Sequence, residues 1–105
     1  MTTTVDVRIQ GDSMWPTLRD GDVVPMHRVD PLLISEGDIV MAQHPLKPSV
    51  MVVKRVLRVE SNGDLFLVGD NPDPLASEDS HNFGPVSKSM VRALSLIHIS
   101  EPTRL

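Results

Sequence analysis

The sequence predicts a mainly β fold, with antiparallel strands in one small domain. Its 105 residues, 40% hydrophobic and 23% charged, suit a single globular domain. The apolar residues are mostly aliphatic, since Trp15, Phe66 and Phe83 are the only aromatic ones, and that composition favours strands. Turn-forming Asp, Asn and Gly residues recur about every dozen residues and divide the chain into short segments.

Six strands are expected between these turns, at 5–9, 22–26, 38–43, 50–59, 65–68 and 90–94. The clearest hairpin joins the fourth and fifth strands through Asn62-Gly63, a pair that accepts the positive φ angles of a tight turn. Residues 16–19 are predicted to form one helical turn, because proline suits a first helical position.

The domain is expected to cover residues 1–94. Residues 95–105 resemble translated adapter or vector sequence and are predicted to be a non-native or disordered tail.

Composition excludes several classes of function. The chain has no cysteine, so disulfides, a thiolate nucleophile and a thiolate zinc site are ruled out. The net charge of −4 argues against nucleic-acid binding, which needs a basic face. No apolar stretch approaches the roughly 18 residues of a membrane span, and no targeting segment is found, so the chain is predicted to be cytoplasmic and without a membrane anchor.

No metal and no cofactor are expected. The four histidines, which are His27, His44, His81 and His98, lack the spacing of metal ligands.

Two residues suggest covalent catalysis. Ser13 stands in Ser-Met-Trp-Pro-Thr, and Lys54 lies in an apolar segment, 51–57. A serine hydroxyl needs a base, and lysine can serve only when burial has lowered its pKa. In a strand, Lys54 shares one face with Val52 and Val56. Either residue alone would also fit a structural role, as a turn serine or an exposed strand lysine.

A third segment completes a known pattern. Gly69-Asp70-Asn71 is followed by Ser77, Asp79 and Ser80. With the serine and lysine segments, in this order, it resembles the boxes of the signal peptidase I family of serine endopeptidases. Gly-Asp pairs at 21–22 and 37–38 match as well, and the resemblance covers about residues 7–94.

The resemblance implies a signal-peptidase-like fold of coiled antiparallel sheets and a Ser/Lys dyad without a cofactor. Ser13 would be the nucleophile, Lys54 the general base, and Ser77 the residue that orients the lysine. The backbone N–H of Ser13 would stabilise the oxyanion, in a substrate cleft formed by Gly11, Asp12 and Met14. Structural support of the site would come from Asp70, Asn71, Asp79 and Ser80.

The chain departs from the family pattern at three places. Gly11 stands where a serine often supplies a second oxyanion donor. The segment from Gly69 to Ser77 is two residues longer than usual. His81 replaces an arginine, so a salt bridge with Asp79 is expected to be weaker at neutral pH.

Within the family, the chain looks most similar to the small soluble nickel-type superoxide dismutase maturation proteases. The shared features are Gly11-Asp12-Ser13-Met14, His44-Pro45-Leu46, Val53-Lys54-Arg55-Val56 and Phe83-Gly84-Pro85-Val86. This likeness implies removal of an N-terminal propeptide from a precursor, so the expected partner is a protein or peptide substrate.

Three alternatives stay open. The first is a general signal-peptidase-like protease. The second is a self-cleaving protease of the repressor type, which is less expected because 12 residues precede Ser13. The third is an inactive β module that holds a peptide by strand addition.

Overall fold

The strands predicted from the sequence form a single six-stranded sheet. In the computed structural model, which describes residues 4–28 and 30–95, they are β1 (Thr4–Arg8), β2 (Val23–His27), β3 (Ile39–His44), β4 (Lys47–Val59), β5 (Leu65–Val68) and β6 (Val91–Ser95). Their order is β1-β2-β6-β3-β4-β5, and neighbouring strands are antiparallel. The prediction of a mainly β fold in one small domain is confirmed.

In the described part of the chain, helical structure is confined to short segments. The helix α1 covers Ser80–Phe83, and 3₁₀ turns occupy Pro31–Leu33, Pro74–Ala76 and Lys88–Met90. The helical turn expected at 16–19 is replaced by a turn that begins earlier, at Met14, where Leu18 donates its N–H to the Met14 carbonyl (2.9 Å). This turn does not continue as a helix, and the Trp15–Pro16 peptide within it is cis.

Two hydrophobic clusters cover the sheet. Alternate residues of β3 belong to different clusters: Val40 and Ala42 to the first, Ile39 to the second. Successive strand side chains point to opposite faces, so both faces carry apolar packing. The remaining buried members of the first cluster are Ile34, Val56, Leu65, Leu67, Val86 and Leu94, and those of the second are Ile9, Met14, Leu18, Val24, Met26 and Ala93.

The predicted β4–β5 hairpin is present. Its loop is closed by a hydrogen bond from Glu60 N–H to the Asp64 carbonyl (2.7 Å). Gly63 within the loop has φ +93°, a conformation that glycine adopts without steric cost. The Asn62-Gly63 signal therefore located the turn.

Ser95 lies inside the domain and not in the predicted tail. It is the last residue of β6, is fully buried, and pairs with Met26 of β2. Strand pairing therefore extends the domain one residue past the expected boundary. The rest of the predicted tail, 96–105, lies outside the described residues.

Candidate active site

A cleft of about 670 Å³ contains both proposed catalytic residues. One wall consists of residues 7–14, which are the end of β1 and the turn after it. The opposite wall includes residues 49–54 of β4. Ser13 and Lys54 thus face one cavity, although 41 positions separate them in the sequence.

Asn71 fixes the turn that carries Ser13. Its backbone N–H donates to the Ser13 carbonyl (2.9 Å), and its Nδ2 donates to the Asp12 carbonyl (2.8 Å). On the other side of Ser13, the Met14 side chain is buried in the second cluster. The serine turn is therefore held by hydrogen bonds and by apolar packing.

Lys54 is buried, with only 4% of its surface exposed. Its Nζ donates to Ser77 Oγ at 2.9 Å, which is the contact that the resemblance to the signal peptidase I family implies. Burial lowers the pKa of Lys54, while the charges of Asp79 and Glu78 oppose that shift. Val56, two positions along β4, is buried in the first cluster, so the expected apolar strand face is present. A lysine in this environment can reach its neutral form more easily than an exposed one.

Gly69 is a site residue that the sequence reasoning did not single out. A Cβ at this position would lie 2.8 Å from Ser77 Oγ and would also collide with the Ser13 carbonyl oxygen. The absence of a side chain lets the serine turn and the lysine's partner approach each other. Gly69 could have been noticed as the first residue of the motif Gly69-Asp70-Asn71. Its close contacts with Ser13 and Ser77 could not be identified from the sequence.

Asp70 joins β4 to the serine turn. Arg55 donates to it through Nε (2.8 Å to Oδ1) and through a terminal guanidinium nitrogen (2.7 Å to Oδ2), and Thr17 Oγ1 donates to Oδ2 at 2.6 Å. Arg55 also donates to the Gly37 carbonyl (2.7 Å). Paired, charge-assisted bonds of this kind are strong and directional.

Asp79 and Ser80 hold the segment that follows Ser77. Asp79 caps α1, accepting the His81 N–H at 2.8 Å, and the buried Ser80 Oγ accepts the Leu67 N–H of β5 at 2.8 Å. His81, which replaces the usual arginine, keeps its ring Nδ1 3.0 Å from Asp79 Oδ1.

Gly11 and Asp12 line the cleft beside Ser13. Gly11 has φ +85° and donates its N–H to Asp20 Oδ1 at 2.7 Å. This amide is already engaged and glycine has no side-chain donor, so Gly11 contributes to the cleft wall and offers no second donor to an oxyanion.

His44 and Glu78 also line the cleft, and neither was a predicted site residue. Within the described part of the chain, no three His, Asp or Glu side chains form a group that could hold a metal ion. None of the helices built by the described residues has the length and apolar character needed to cross a membrane.

The known proteins that this chain is similar to are described as proteases. The profile of the family described as "Peptidase S24-like" matches residues 2–84. Mitochondrial inner membrane protease subunit 1 of Xenopus tropicalis is 34% identical over 103 residues, which cover 78% of this chain and 60% of that protein. Mitochondrial ATP-independent inner membrane protease subunit 1a of Arabidopsis thaliana is 30% identical over 118 residues, covering 90% and 69%.

The resemblance to signal-peptidase-like serine proteases is thereby confirmed at the level of the family. Mitochondrial inner membrane protease subunit 2 of Danio rerio is also similar, at 32% identity over 92% of this chain and 64% of that protein. The chain thus spans about three-fifths to two-thirds of the length of these curated relatives. The extent of the profile match and the identity to the relatives together place this chain in the S24-like peptidase family.

Proposed function

We propose that this protein is a serine endopeptidase with a Ser13/Lys54 dyad, which removes an N-terminal extension from a precursor protein. One observation carries the proposal: a buried lysine, held by Ser77 at 2.9 Å, lines the same cleft as a serine. Burying an ammonium group is costly even when it makes one hydrogen bond, and a role as general base accounts for a lysine at this position. Membership of a peptidase family supports the same reaction class.

In the proposed reaction, Ser13 Oγ attacks the carbonyl carbon of the scissile peptide, and neutral Lys54 accepts the hydroxyl proton. The Ser13 backbone N–H donates to the oxyanion, an interaction worth about a hundredfold or more in rate. The C–N bond then breaks, and Lys54 gives its proton to the leaving amine. Water, deprotonated by the same lysine, hydrolyses the acyl-serine ester and restores the free hydroxyl.

The cleft suits an extended peptide. β1 is an edge strand of the sheet, and β5 pairs with β4 only along Arg55–Val59. The stretch of β4 before Arg55 is therefore not covered by β5. Strand edges of this kind bind peptides by adding main-chain hydrogen bonds.

The proposed substrate is the precursor of a nickel-type superoxide dismutase. Its support is the motif likeness at residues such as Ser13, His44 and Lys54, while the relatives named above are mitochondrial inner membrane proteases by their descriptions. The cytoplasmic location predicted from the sequence stays a prediction.

Co-expression with such a precursor, followed by intact mass measurement of the precursor, tests the proposal. We expect trimming by the wild-type chain and none by Ser13→Ala or Lys54→Ala. Ser89→Ala, an exposed serine away from the cleft, is the matched control and should retain full activity.

The same experiment separates the alternatives. A fully active Ser13→Ala variant would refute the dyad. Precursor bound but uncut by well-folded wild type would favour the peptide-binding module, and shortening of the purified chain itself would favour self-cleavage.

A further inference from the structure

His44 is held in one ring orientation by its surroundings. The Leu46 N–H donates to its Nδ1 at 3.0 Å, so that nitrogen carries the lone pair. The proton therefore resides on Nε2, which lies 2.9 Å from Glu78 Oε1 and donates to it. The ring is only 2% exposed and packs against Phe83 at a centroid distance of 4.7 Å. This geometry makes His44 a rigid donor.

Glu78 occupies a critical place in the chain, directly after Ser77 and directly before Asp79. Its carboxylate is half-exposed on the cleft wall. The hydrogen bond from His44 lowers the pKa of Glu78, with a further contribution from Lys47, whose Nζ is 3.6 Å away. Glu78 is thus a negative charge fixed by His44, in the same segment as Ser77, which is the hydrogen-bond partner of Lys54.

The loop before Ser77 has little packing of its own, since Leu75 near its end is 92% exposed. Asn71 ties the beginning of the loop to the serine turn, and Asp73 caps the 3₁₀ turn at its end. These bonds lie within the loop or at its start, so the bond between His44 and Glu78 adds a tie to β3 directly after Ser77.

We propose that His44 and Glu78 form a positioning pair that holds Ser77 against Lys54. The pair acts in two ways: its hydrogen bond fixes the loop end, and its negative charge favours the protonated lysine. The titratable groups lining the cleft around Lys54 are Arg8, Asp12, His44, Lys47 and Glu78, and Asp79 also acts on it electrostatically. The inference rests on the proposed peptidase function.

Glu78→Gln removes the negative charge but keeps the hydrogen bond, because the amide oxygen can still accept from His44. The variant therefore tests the effect of the charge on Lys54 apart from the placement of Ser77. Activity rises with pH as Lys54 deprotonates, so losing a nearby negative charge moves that rise to lower pH. On the acid limb of the pH profile we expect kcat/KM to increase about threefold, with a plateau changed by less than about twofold. Glu60→Gln, the same change in a surface ion pair with Arg58, should leave the profile unchanged.

His44→Phe tests position. It preserves ring packing against Phe83 but removes the donor to Glu78, so the loop end is released. We expect kcat to fall about tenfold or more at every pH, and His44→Gln, which restores a donor, to recover part of the loss. A purely structural role would lower the melting temperature of His44→Phe but leave kcat of the folded protein unchanged.

An NMR titration of the Lys54 side chain provides a readout that needs no substrate. Its midpoint should shift to lower pH in Glu78→Gln and stay in place in Glu60→Gln. If wild type cleaves no precursor, the substrate proposal fails while this titration still decides the pairing. An unchanged Lys54 titration in Glu78→Gln overturns the inference, as does full activity of a folded His44→Phe variant.

Discussion

Replacing Gly69 with alanine tests whether the site depends on close approach of two loops. The new Cβ would lie 2.8 Å from Ser77 Oγ, whereas ordinary contact begins at 3.4 Å. The hydroxyl must therefore retreat by about 0.6 Å, and the Ser13 carbonyl must move as well. Since an error of about 1 Å in catalytic geometry can cost about a hundredfold in rate, we expect kcat to fall between about ten- and a hundredfold. Overpacking should also cost about 1–3 kcal/mol of folding free energy.

The assay is cleavage of a precursor or peptide substrate, combined with urea unfolding of the same samples. Gly63→Ala is the matched control: its Cβ would meet nothing within 4 Å, but its φ of +93° makes alanine cost about 1–2 kcal/mol. The control should lose stability and keep its kcat. A Gly69→Ala protein with wild-type kcat would refute the steric reasoning.

Three further variants test the surroundings of the dyad. Lys54→Met should abolish cleavage and stabilise the fold by roughly 1–4 kcal/mol at neutral pH. The pKa of Lys54 is lower in the folded state than in the unfolded state, so the unfolded chain binds more protons. The unfolding free energy of the wild type should therefore rise with pH up to the ordinary lysine pKa of about 10.5. Urea unfolding at several pH values should find a smaller rise of the unfolding free energy with pH in the methionine variant. Asp70→Asn weakens the paired bonds from Arg55 and should cost about 1–3 kcal/mol, and an unchanged unfolding midpoint would contradict this. Ser80→Ala leaves the Leu67 N–H without its acceptor and should cost about 1–3 kcal/mol, measured by thermal unfolding, with cleavage preserved below the transition.

The strands could be predicted because each depends on local patterns. The predicted strand at 65–68 coincides with β5, and the start of β1 differs by one residue. The turn at Gly63 could be predicted because the preference for a positive φ angle belongs to the glycine itself and does not depend on distant contacts. Lys54 was recognisable as unusual because the segment around it, 51–57, is apolar apart from Lys54 and Arg55.

Other features could not be predicted because they depend on contacts between distant segments. The steric role of Gly69 appears only when Ser13 and Ser77 are brought to either side of it. The His44–Glu78 bond joins residues 34 positions apart, and neither residue type signals a partner by itself. The turn at 14–18 differs from the expected helix because its bond starts at Met14, whose side chain is buried in the core.

The position of β6 has a consequence for the timing of synthesis. In the sheet it separates β1 and β2, which flank Ser13, from β3, β4 and β5, which include Lys54. A growing chain emerges from the ribosome with Ser13 first and Lys54 later, and among the described strands the one that joins the two halves of the sheet comes last in the sequence. The sheet that holds both candidate catalytic residues can therefore be completed only after β6 has been translated.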